Sequence, residues 1–157
     1  MPRVLGVGGM ETNKRIQVID DDEAIRTLLF TVLRRRGFAV DMARNGEDAV
    51  AAMKRCRYAV ALVDLMMPLK DGWEVLEWME GCPKDERPLA IVLTAGISSR
   101  ALNPDVVAGT VHKPFDIELL LDMVHACASV HELVQRENCP PPDSNRASER
   151  RTGGDVN

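Results

Sequence analysis

Three consecutive acids, Asp20, Asp21 and Asp22, follow directly on the β-branched apolar run "RIQVI". A fourth, Asp64, ends "YAVALVD", a run that is apolar up to that position. Carboxylates at the edge of a hydrophobic element lose hydration, and side by side they repel one another. Such a cluster calls for a cation, and oxygen ligands with few protein contacts suit Mg2+. Two more polar residues close apolar segments in the same manner: Thr94 near the end of "LAIVLTA" and Lys113 after "TVH". A hydroxyl and a lone lysine suit the oxygens of a phosphoryl group. Taken singly, each residue also has a plainer reading. Asp21 and Asp22 suit the start of a helix, Asp64 a turn before "MMP", Thr94 a strand, and the "KP" of Lys113 and Pro114 a turn. Only a fold that gathers them makes chemistry of them.

The elements needed to gather them are legible. After the acids, Ile25, Leu28, Leu29, Val32 and Leu33 recur with helical spacing and predict one buried face. Asp22 and Glu23 suit the positive N-terminal end of that helix, the arginines at 34 to 36 its C-terminal end, and Gly37 its stop. In "FAVDMA", Phe38, Val40 and Met42 alternate as in a half-buried strand. A short amphipathic helix follows through Ala49, Val50 and Met53. The apolar runs ending at Asp64 and Thr94 predict central parallel strands covered on both faces. Between them, Pro68 and the pair Asp71 and Gly72 mark a loop before a helix carrying Trp73, Leu76 and Met79. Pro104 limits any helix in "GISSRALNPDVVAG" to a turn or two. "TVHKPF" predicts a fifth short strand. A last helix has Asp116 as its N-cap and Ile117, Leu120, Leu121, Val124 and Ala128 on one face.

Five strands alternating with helices predict an α/β fold: a doubly wound five-stranded parallel sheet, flavodoxin-like in strand order 2-1-3-4-5, with a shortened fourth helix. In an open parallel sheet, ligands bind outside the carboxyl ends of the strands. Asp20 and Asp21, Asp64, Thr94 and Lys113 all stand at such ends, so the fold predicts that they converge.

Composition narrows the remaining classes. With 157 residues the chain is long enough for one domain with a proper core. A net charge of −4 gives no reason to expect nucleic-acid binding. No apolar run approaches the ~20 residues needed to span a bilayer, so no membrane is expected. The four cysteines, Cys56, Cys82, Cys127 and Cys139, are widely spaced and suggest a reducing, cytoplasmic compartment. Residues 1–13 read as an N-terminal extension, with Met10 an alternative start, residues 14–136 as the domain, and residues 137–157 as a disordered polar tail.

"VIDDDEAIR", "VALVDLMMPLKDGWEVL", "IVLTAG" and "VHKPF" resemble, in order and near the usual spacing, the signature segments of the receiver domain of bacterial two-component response regulators, including standalone chemotaxis-regulator-like receivers. The resemblance covers residues 14 to about 135. It implies that Asp64 is the phosphoacceptor, taking a phosphoryl group from a sensor histidine kinase or a histidine phosphotransfer protein. It further implies Mg2+ held by Asp21 directly, by Asp20 through water, by Asp64 and by the backbone carbonyl of Met66. Thr94 and Lys113 would take phosphoryl oxygens, and the bond from Lys113 to Pro114 would be cis. The protein would be a switch and not an enzyme, acting only on its own phosphorylation and dephosphorylation. Output would pass by contact with a downstream protein or by onward phosphorelay.

Two features depart from that family. The position three before Lys113, usually aromatic, is Thr110, and the segment between Thr94 and Lys113 is short. Both bear on how activation is transmitted, and the loop at 96 to 109 is the alternative route. The contrasting reading is a receiver-fold scaffold that works without phosphorylation, against which the intact set of site residues stands. A haloacid-dehalogenase-type phosphatase would want a second acid two residues after the nucleophile, where this chain has Met66.

Overall fold

The computed structural model describes residues 14–67, 72–96 and 101–138. Its strands are β1 (Arg15–Ile19), β2 (Ala39–Ala43), β3 (Val60–Asp64), β4 (Leu89–Thr94) and β5 (Val107–His112). Its helices are α1 (Glu23–Arg35), α2 (Gly46–Arg55), α3 (Gly72–Glu80) and α4 (Ile117–Asn138). All strands pair in parallel, in the order β2-β1-β3-β4-β5. The expected extension at 1–13, the turn residues Pro68 and Asp71, the segment 97–100 and the tail from 139 lie outside the described residues.

Alternation along the strands divides the core into two layers. Ile16, Val18, Val60, Leu62, Ile91 and Leu93 pack against Leu29 and Leu33 of α1 and against Leu120, Leu121, Val124 and Ala128 of α4. Ile19, Ala61, Val63, Ala90 and Val92 pack on the opposite face against Ala49 of α2 and Val75, Leu76 and Met79 of α3. Every residue of β3 is buried, as befits a central strand covered on both sides.

Helix ends follow their local chemistry. The Asp22 carboxylate accepts from the N–H groups of Ala24 and Ile25 at 2.9 and 3.3 Å and caps α1. Asn45 caps α2 through the Asp48 N–H. Asp116 accepts from Glu118 and Leu119 at the start of α4. At the far end of α1, Gly37 takes φ 95°, a conformation that side chains beyond glycine adopt at a cost.

Several local expectations are corrected. Leu28 is 45% exposed and Met42 47% exposed, so neither belongs to the buried face predicted for it. The stripe of α1 centres on Leu29 and Leu33, and β2 is an edge strand in which Met42 sits on the side away from Ala43. The fifth strand begins at Val107, earlier than "TVHKPF" implies, because pairing with buried β4 outweighs the loop-like look of "VVAG". Among the described residues of the β4–β5 connection, the shortened fourth helix comes down to one turn. There Asn103 accepts from the N–H groups of Val106 and Val107, and its side chain accepts from Asp105.

Candidate functional site

The carboxyl ends of β1, β3, β4 and β5 meet at one edge of the sheet. Ladder hydrogen bonds carry the order of the strands into the loops that follow. Asp20 donates its N–H to the Ala43 carbonyl, Leu65 to Leu93, and Lys113 to Thr94 at 2.8 Å. The residues just beyond the strand ends are thus as fixed as the strands themselves.

Asp20 is fully buried, Asp64 is nearly so, and Asp21 is exposed at the rim. Each of the three offers a carboxylate oxygen, and these oxygens lie within 4.8 Å of one another. The Lys113 ammonium enters from β5 and donates to Asp20 Oδ2 at 3.0 Å, with Asp64 Oδ2 at 3.5 Å. The peptide bond between Lys113 and Pro114 is cis. Asp64 Oδ1 accepts from the Met66 N–H at 3.0 Å, and Asp20 Oδ1 from the Asp22 N–H at 2.9 Å.

One lysine facing three acids leaves two negative charges in excess. Burial dominates the electrostatics of Asp64, and the neighbouring acid adds to it. Burial pushes its carboxyl up from 3.8 to about 6, the Met66 N–H pulls it down, the Asp20 charge raises it, and Lys113 lowers it again. At neutral pH it is largely ionised and incompletely neutralised. Lys113 is held above its ordinary value: burial alone would lower it, but the hydrogen bond and charge of Asp20, with the charge of Asp64, outweigh burial. Hard oxygen donors in negative excess match a divalent cation such as Mg2+.

Thr94 is buried at the end of β4, but its hydroxyl is turned to its own loop. It donates to the Gly96 carbonyl at 2.9 Å and accepts from the Gly96 N–H at 3.2 Å. Thr110 is exposed on β5. Asp22 is committed to capping α1, and the histidines His112 and His125 lie on the surface. His131 donates to, or accepts at, no site residue; its ring nitrogen lies 3.2 Å from the Arg87 carbonyl.

Arg26 is a contributor that sequence reasoning left without a role. Its Nη1 donates to the Asp20 carbonyl at 2.8 Å, tying the acidic loop to α1. Its place in the first turn of a helix that starts beside the acids is the signal that points to it.

The sequence of the response regulator receiver domain family matches residues 16–125. The chain is 30% identical over 135 residues to protein Rrf1 of Nitratidesulfovibrio vulgaris, covering 83% of this chain and 97% of that one. It is 34% identical over 113 residues to response regulator MprA of Mycobacterium tuberculosis, covering 71% of this chain and about half, 49%, of that longer protein. Among solved structures, response regulator TrrA of Thermotoga maritima in complex with Mg2+-BeF superposes with a TM-score of 0.65, with 33% identity over 73% of this chain and 98% of that one. The chemotaxis regulator CheY4 of Vibrio cholerae, at 24% identity and TM-score 0.66, shares the fold over 73% of this chain and 98% of its own. The match over residues 16–125 and the likeness to these relatives show that the chain belongs to the response regulator receiver domains, the phosphoacceptor modules of two-component signalling.

Proposed function

We propose that Asp64 is the phosphoacceptor and that Mg2+ is its cofactor. The observation that carries this reading is the convergence of Asp20, Asp21 and Asp64 within 4.8 Å, faced by the Lys113 ammonium. An Asp64 oxygen attacks the phosphorus of a phosphohistidine on a sensor kinase or a phosphotransfer protein. The new O–P bond forms as the N–P bond to the imidazole breaks, leaving an acyl phosphate on Asp64. With its carboxyl at about 6, Asp64 is mostly ionised at neutral pH and available as a nucleophile.

Asp21 would hold Mg2+ directly, Asp20 through water, with Asp64 and the Met66 carbonyl completing the set. The bound cation would offset charge on the carboxylates and on the phosphoryl oxygens. That the relative TrrA is solved with Mg2+-BeF supports this assignment. Lys113 exchanges its contact with Asp64 for a phosphoryl oxygen. Thr94 supplies a second donor by turning its hydroxyl away from Gly96, which releases both bonds that hold that residue. With Thr110 at the usual aromatic position, the β4–β5 connection that begins at Gly96 is the route of transmission. The output is contact with a downstream protein, or onward relay to another histidine. The setting is cytoplasmic, and among the described residues no helix is long and apolar enough to cross a membrane. The domain's chemistry is confined to gaining and losing its own phosphoryl group.

The test is labelling by acetyl phosphate. The parent should form an acyl phosphate with Mg2+ and none in EDTA, and Asp64→Asn should form none while keeping its fold. Undiminished labelling of Asp64→Asn overturns the assignment and points to another acceptor, whereas a folded parent that takes no label favours a phosphorylation-independent scaffold.

A further inference from the structure

Helix α3 starts almost on top of the backbone that carries Asp64. Gly72, the first residue of the helix, is buried. A Cβ at this position would stand 2.7 Å from the Leu65 Cα and 2.9 Å from the Asp64 carbonyl carbon, and closer still to the Asp64 carbonyl oxygen. Ordinary contact begins at 3.4 Å. The obstructing atoms are all main chain, so no rotamer change relieves the overlap.

The same peptide is held from its other side. Asp64 pairs with Leu93, and the Leu65 N–H donates to the Leu93 carbonyl at 3.1 Å. The helix has no room to retreat freely either, since Val75, Leu76 and Met79 lock α3 into the core. Peptide and carboxylate move together, because Asp64 Oδ1 is tied to the Met66 N–H two residues on. Other glycines differ. At Gly81 a Cβ would meet the Trp78 carbonyl at an ordinary 3.5 Å, at Gly96 it would meet nothing within 4 Å, and at Gly109 only the flexible end of Met123.

We propose that Gly72 is a positioning residue for phosphoryl transfer: by lacking a side chain it lets α3 rest on the peptide between Asp64 and Leu65, and so sets where the Asp64 carboxylate points. The inference rests on Asp64 being the phosphoacceptor. In-line transfer depends steeply on the placement of the attacking oxygen, and a displacement of about 1 Å is worth roughly a hundredfold in rate. Asp20 and Asp21 stand on a different loop, whereas Asp64 and the Met66 carbonyl move with this peptide, so rates must be compared with the cation site saturated.

The experiment compares parent, Gly72→Ala, Gly81→Ala and Asp64→Asn in acetyl phosphate with saturating Mg2+, well below each melting temperature. Gly72→Ala should lose roughly 10- to 100-fold in maximal labelling rate. Saturating Mg2+ keeps any loss of cation affinity out of this comparison. Gly81→Ala should label at the parent's rate. A folded Gly72→Ala that labels at the parent's rate, or whose rate falls only in proportion to lost Mg2+ affinity, overturns the proposal. If the parent does not label, or Asp64→Asn labels equally, the phosphoacceptor assignment fails instead. Should Gly72→Ala not fold, the parent decides the matter by NMR. On adding beryllofluoride with Mg2+, the Gly72 amide resonance should shift well beyond that of Gly81, and an unmoved Gly72 resonance overturns the proposal.

Discussion

The Lys113 ammonium donates to the Asp20 carboxylate at 3.0 Å, joining two residues 93 positions apart in the chain. Asp20 is fully buried and has no other cation within bonding distance of its carboxylate among the described residues, so this lysine is its counter-ion. Replacing Lys113 by Met leaves buried negative charge unopposed and should cost about 3 kcal/mol of stability at pH 7 in EDTA. The same change removes a positive neighbour from the cation site, so Mg2+ should bind more tightly. Thermal unfolding with and without Mg2+ checks both. An unchanged Mg2+ affinity in Lys113→Met argues that the lysine does not face the cation.

Asp64 links stability to pH. In the fold its carboxyl titrates near 6 against 3.8 when unperturbed, chiefly because it is buried. The folded protein therefore holds more protons than the unfolded chain between those values. Its contribution to stability is full below 3.8 and is lost as the pH rises through about 6. In metal-free buffer Asp64→Asn should thus gain on the parent across that window and stay ahead above it, by on the order of 1–3 kcal/mol. Denaturant unfolding from pH 4 to 8 measures the difference. A gap that is constant with pH counts against the raised carboxyl.

Neighbouring acids should separate cleanly by role. Asp22 accepts from two N–H groups at the start of α1, so Asp22→Ala should cost about 1 kcal/mol and leave Mg2+ affinity alone. Asp21, exposed beside the buried pair, should show the reverse. Asp21→Ala is expected to weaken Mg2+ binding by roughly tenfold or more, yet to raise the melting temperature in EDTA by relieving repulsion. Calorimetric titration of both variants is decisive, and equal Mg2+ affinity in Asp21→Ala and parent refutes the ligand role.

The lifetime of the acyl phosphate depends on a water placed in line with Asp64. Met66 beside it is 70% exposed and offers no strong donor or acceptor. A Cβ at Gly96 would meet nothing within 4 Å, so that side of the site has room for a longer side chain and none to orient a water. Slow self-dephosphorylation is expected, and Met66→Asn with Gly96→Glu should speed it by roughly tenfold. The decay of labelled protein in Mg2+, after the donor is removed, reports the rate. A parent that already decays within seconds, with no acceleration in the double variant, sinks the idea.

Sequence by itself settled what local chemistry controls. The runs ending at Asp64 and Thr94 are apolar without interruption because both faces of β3 and β4 are covered, and periodicity records that burial directly. The cap at Asp22, the basic last turn of α1 and the turn at Gly37 are likewise properties of adjacent residues. Alternation of strands and helices, with acids and a lysine at the strand ends, was enough to name the candidate site. Tertiary structure alone decided how those residues meet. The contact of Lys113 with Asp20, the turning of the Thr94 hydroxyl onto Gly96 and the seat of Gly72 on the Asp64 peptide are written in no spacing. The exposure of Leu28 and Met42 and the early start of β5 belong with them. Periodicity reports which side of an element is apolar, whereas these contacts depend on strand register and on how closely each helix lies on the sheet. Those quantities come from packing summed over the whole core, and no short stretch of the chain encodes them.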